Sequence, residues 1–69
     1  MRNEILIAAR EKSGKTQKQV AQEIGINEVV YQRYEYGTRT PGAPTANSIA
    51  RALNTTSEKL FGFKEVNAL

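Results

Sequence analysis

The sequence predicts an all-α fold, a compact bundle of five short helices. Two observations carry that expectation. Good capping residues (Asn3, Thr16, Asn27) recur some ten residues ahead of glycines (Gly14, Gly25, Gly37) that can end a helix. Between them the apolar residues return at helical intervals, and no stretch alternates as a strand does. A chain of 69 residues makes one domain on a single core.

Each element has its own signals. Asn3 caps a first helix from Glu4 to about Lys12, with Leu6, Ala9 and Arg10 on one face and Gly14 at its left-handed end. Thr16 opens the second. The run Thr16-Gln17-Lys18-Gln19 reads as a capping box, in which the Thr and Gln side chains satisfy each other's orphan backbone donors. Val20, Ala21 and Ile24 form its buried stripe, and Gly25 ends it with positive φ. Asn27 caps a third helix from Glu28 to Tyr36, which Gly37 stops. Only Gly25, Ile26 and Asn27 separate the second and third helices, so their axes must cross steeply. Thr38 to Ala43 is a loop punctuated by Pro41 and Gly42. Pro44 suits the first turn of a fourth helix to about Leu53, with Ile49, Ala50 and Leu53 inside. Thr55 or Thr56 caps a short fifth helix anchored by Leu60 and Phe61, and the tail from Gly62 to Leu69 carries weak signals.

Composition removes several function classes. With no Cys there is no disulfide, thiolate metal site or redox pair, and with no His the commonest general base and metal ligand is missing. No Gly-rich phosphate loop is present, and so small a core leaves no room for a pocket. No catalysis, cofactor, metal or small-molecule ligand is therefore expected. No apolar run approaches the roughly 18 residues of a membrane span. The start, Met1-Arg2-Asn3-Glu4, lacks a secretory layout, so a cytoplasmic protein with no membrane partner is expected. A net charge of +3, ten basic residues against seven acidic, permits nucleic-acid binding without demanding it.

The third helix divides into two faces. Val30, Tyr31 and Tyr34 share one side, with Ile26 behind them, while Glu28, Val29, Gln32, Arg33 and Tyr36 lie opposite. The outer set has the chemistry of base reading. Arg pairs with guanine, Gln with adenine, a carboxylate accepts from cytosine, and an aliphatic group meets the thymine methyl. Such residues also occur on any solvated helix. What favours readout is position, because the helix follows a capped helix and a three-residue turn, the arrangement that projects a second helix into a groove.

Arg10, the Thr16-Gln17 pair, Ala21, Gly25, Glu35 with Gly37, Pro41, Ile49-Ala50, Ala52-Leu53 and Leu60 stand in one register from Leu6 to about Phe61. In these positions the chain resembles the phage repressor and Cro type of helix-turn-helix, the XRE family, with its lambda-repressor-like five-helix fold. The resemblance implies a sequence-specific DNA-binding transcriptional regulator, more often a repressor. It implies base reading by Glu28, Val29, Gln32 and Arg33, and DNA backbone contacts from Thr16, Gln17, Lys18, Tyr36, Arg39 and Thr40. Gln17 would hold a phosphate with help from helix N-terminal N–H groups. Arg10 and Glu35 match a partly buried structural ion pair.

Four positions depart from the family pattern: Ala46 is small, Tyr31 and Tyr34 replace inner aliphatic residues, and Glu28 is acidic where bases are read. The two tyrosine hydroxyls need partners or a route to water.

The expected organisation is a DNA-binding domain over residues 1–61 and a tail over 62–69. One such domain reads few base pairs, so a homodimer on a near-palindromic double-stranded DNA operator is expected. Leu60, Phe61, Phe63, Val66 and Leu69 form the candidate dimer patch, although Leu60 and Phe61 suit the core better. The competing reading is a protein-interaction module, or an antitoxin, that uses the same fold to hold a partner protein.

Overall fold

In the computed structural model, residues 1–62 are described, and they form α1 (Glu4–Lys12), α2 (Gln17–Ile24), α3 (Glu28–Tyr36), α4 (Ala43–Ala52) and α5 (Ser57–Phe61). There is no strand among the described residues. The boundaries follow local chemistry. The Asn3 side chain accepts from the Leu6 N–H, that of Asn27 from Val29, and that of Thr56 from Lys59. At α2 the capping box is complete: Thr16 Oγ1 accepts from the Gln19 N–H at 3.0 Å, and Gln19 Oε1 accepts from the Thr16 N–H at 2.8 Å. The fourth helix begins at Ala43 with Gly42 as cap and Pro44 in its first turn, one residue earlier than expected.

The α2–α3 turn depends on Gly25, which stands at φ 78° and donates its N–H back to α2, while the Ile26 N–H bonds the Ala21 carbonyl at 2.9 Å. Gly37 does the same after α3 at φ 80° and has a second reason to be glycine. A Cβ there would collide with the Met1 backbone.

α2 packs on α3 and α4, α4 on α5, and α1 on α3 and α5. Their shared core consists of Leu6, Val20, Ala21, Tyr31, Tyr34, Ile49, Ala50, Leu53 and Leu60, with Ala9, Ile24, Ile26, Val30 and Phe61 against it. On α1 the second buried position is Ile7 rather than Ala9, which is only partly covered. Ala46 is completely buried. Leu60 and Phe61 close the core. Phe63, Val66 and Leu69 lie outside the described residues.

One residue joins three helices at the end of the bundle. Asn3 caps α1 with its side-chain oxygen, donates its side-chain N–H to the Leu60 carbonyl at 2.9 Å, and donates its backbone N–H to the Glu35 carbonyl at 2.8 Å. The consequence for function lies in α3. Its inner face is held by the core, its start by α2 and its end by the N-terminal segment, so its outer face is presented on a rigid element.

Candidate nucleic-acid interface

The brace behind α3 is built around one carboxylate. Glu35 is 1 % exposed, and both its oxygens are used. Oε2 accepts from Arg10 Nε at 2.6 Å and from the Tyr31 hydroxyl at 2.7 Å. Oε1 accepts from Arg10 Nη2 at 3.3 Å and from Gln17 Nε2 at 2.9 Å. Arg10 is itself held by the Lys15 carbonyl, which accepts from Nη1 at 3.0 Å. α1, α2 and α3 therefore meet at a single buried anion.

Burial by itself pushes the Glu35 carboxyl up. The hydrogen bonds from Arg10, Gln17 and Tyr31, with the Arg10 charge, outweigh it and hold the group below its ordinary value. Arg10 is raised, first by its hydrogen bond to Glu35 and against the effect of burial. Tyr31 is pushed up by burial and then by bonding to Glu35, so its proton stays in place as a donor.

This answers the question of the two inner tyrosines. Tyr31 is fully buried and spends its hydroxyl on Glu35, one turn ahead on the same helix. Tyr34 makes no such bond. No buried polar side-chain atom among the described residues lacks a partner, so its hydroxyl reaches water.

On the outer face, Val29 and Tyr36 are about half exposed, at 52% and 50%, and Arg33 is exposed. The Arg33 guanidinium has no ion pair or hydrogen bond among the described residues. Its backbone carbonyl accepts from the N–H groups of Thr38 at 3.1 Å and Arg39 at 3.3 Å, which ties the following loop to the end of α3. Arg39 and Thr40 are exposed in that loop, and Lys18 is exposed on the first turn of α2. Among the described residues, Lys18, Arg33 and Arg39 thus offer unpaired cationic groups on α2, α3 and the loop after it.

Glu28 and Gln32 differ from their neighbours on this face, being partly covered. Gln32 Nε2 donates to Gln17 Oε1 at 3.2 Å and lies 3.5 Å from Glu28 Oε2. The Gln17 carboxamide, expected at a phosphate, is thereby committed between Glu35 and Gln32. The first-turn N–H groups of Gln17 and Lys18 still have no intrahelical acceptor. The Thr16 hydroxyl accepts in the cap and keeps its proton to donate.

Sequence reasoning missed Tyr31 as a partner of Glu35, and it missed the Gln17–Gln32 contact. The four-residue spacing of Tyr31 and Glu35 was the signal for the first. Nothing local signals the second.

A helix-turn-helix family model matches residues 6–60. The chain belongs to the Cro/C1-type helix-turn-helix family. Neither the search of curated proteins nor that of solved structures gave a match. In this helix-turn-helix protein α2 and α3 are the paired helices, and Gly25 to Asn27 form the turn. The family is one of DNA-binding regulators, and that role comes with membership. No helix among the described residues is long and apolar enough to cross a membrane.

Proposed function

We propose that this helix-turn-helix protein is a sequence-specific transcriptional repressor that reads the major groove of double-stranded DNA with α3. The observation that carries this reading is the contrast between the two faces of that helix. Tyr31, Tyr34 and Glu35 are locked inside, while Val29 and Arg33, whose side chain has no partner among the described residues, stand outside on the same rigid element. Glu28, Val29, Gln32 and Arg33 face base edges. Lys18, Tyr36, Arg39, Thr40, the Thr16 hydroxyl and the backbone N–H of Gln17 hold phosphates on either side. Repression needs only occupancy of the site, which DNA binding supplies without any further contact.

A helix of nine residues reaches few base pairs, so specificity comes from two copies on a near-palindromic site, their recognition helices about 34 Å apart. Selection of bound duplexes from a random pool tests this. Inverted half-sites with centres about 10 bp apart are expected. Recovery of isolated half-sites would remove the homodimer, and absence of salt-dependent binding would favour a protein-interaction role instead.

The backbone contacts have their own signature. Arg39→Ala is expected to weaken binding to all duplexes alike and to flatten the salt dependence by about one unit of slope, measured by titration at several salt concentrations. A change confined to one base pair would assign Arg39 to readout.

A further inference from the structure

The polar chain from Glu35 to Gln32 has a direction. An ionised carboxylate can only accept, so the group that Gln17 turns to Glu35 Oε1 at 2.9 Å must be its amide nitrogen. That leaves the Gln17 carbonyl oxygen for Gln32, 3.2 Å away, and only a donor fits there. The Glu28 carboxylate, 3.5 Å from the same atom of Gln32, is a second acceptor. Turning the Gln32 amide over would set its oxygen against two others. The orientation of Gln32 is therefore dictated, through Gln17, by the buried anion of the brace.

The other end of the Gln32 amide is left over. Its Oε1 has no partner among the described residues, and no buried polar side-chain atom among them is unpartnered, so this oxygen is open to solvent.

We infer that Gln32 reads DNA as an acceptor only: Gln17 and Glu28 hold its amide nitrogen, and its Oε1 is offered to an exocyclic amino group of cytosine or adenine. A free Gln pairs with adenine through two bonds, giving a proton to N7 and accepting one from N6. With its nitrogen engaged, Gln32 accepts from adenine N6 or cytosine N4 equally and refuses guanine O6 and thymine O4, which are acceptors themselves. Gln17 is thus a positioning residue that broadens the choice at one base pair. This inference rests on the DNA reading proposed above.

The test has an arm without DNA and an arm with it. In the free ¹⁵N-labelled protein, the side-chain amide protons of Gln32 should exchange with water more slowly than those of the exposed Gln22. In Gln17→Ala that difference should vanish. In competition binding, the position Gln32 reads is the one where Gln32→Ala abolishes discrimination. There the unaltered protein is expected to bind adenine and cytosine with nearly equal affinity. Gln17→Ala, which frees the amide proton that Gln17 held, is expected to prefer adenine over cytosine by about tenfold, within the range of a bidentate pair. The backbone N–H of Gln17, the group that meets a phosphate, is kept in this variant, and any uniform change in affinity cancels in the ratio.

A tenfold preference for adenine in the unaltered protein would overturn the inference whether or not the variant folds. So would an unchanged ratio in a folded Gln17→Ala. In both cases the DNA reading stands. Absence of salt-dependent binding to any duplex would overturn both.

Discussion

Arg10→Ala is expected to cost the fold about 3–5 kcal/mol and to reverse the sign with which its stability responds to acid. The size follows from what remains. Glu35 is 1 % exposed, and without Arg10 it keeps only Gln17 and Tyr31 as donors. A small domain has about 5–15 kcal/mol in total, so the loss is a large part of it.

The sign follows from linkage. In the unaltered protein the folded-state value of Glu35 lies below the ordinary 4.5, so its stabilisation is present above that value. It is lost as the pH falls through the depressed folded value. Remove the Arg10 charge and hydrogen bonds, and the largest remaining influence is burial, which raises the group. Stability is then fully present below the ordinary value and is lost as the pH rises through the folded one. Urea denaturation at pH values on both sides of 4.5 reads the two slopes, and Glu35→Gln supplies the non-titrating control. A loss near zero, or the same slope in both proteins, would mean that the pair carries no such energy.

Arg33→Ala is expected to lose about 1–3 kcal/mol of binding on the preferred site and to relax the choice at one base pair. The side chain is exposed and has no partner among the described residues, so it can offer two donors to guanine at no cost in the bonds described. What holds the turn after α3 is its backbone carbonyl, bonded by Thr38 and Arg39, and truncation leaves that in place. A binding loss can therefore be read without a folding loss. Competition among the selected site, its single-base variants and random duplex measures it. Equal weakening on selected and random DNA would make Arg33 a phosphate contact.

Much of the fold was legible because its signals are local. Thr16 and Gln19 satisfy each other within one turn, and Gly25 and Gly37 adopt a backbone conformation other residues resist, wherever the rest of the chain lies. The outer face of α3 was legible for the same reason, since helical periodicity alone separates Val29 and Arg33 from Tyr31 and Tyr34. The Arg10–Glu35 pair came instead from the family register.

Other contacts were not legible because their partners are far apart in sequence. Asn3 reads as a cap, but its bond to the Leu60 carbonyl spans 57 positions. The family resemblance makes Gln17 a phosphate ligand. Its carboxamide goes elsewhere because packing α2 on α3 puts a buried carboxylate within reach, and a charged acceptor outcompetes water for an amide proton.

The same division holds for the third helix. The sequence by itself determined that Glu28 to Tyr36 is a helix, where it stops and which residues it turns outward, since each depends on neighbours within a turn or two. Only the tertiary structure decided which of those outward residues are free. Arg33 has no side-chain partner among the described residues, while Gln32 is drawn to Gln17 with Glu28 beside it, because the donors and acceptors that orient long polar side chains come from whichever element packs beside them.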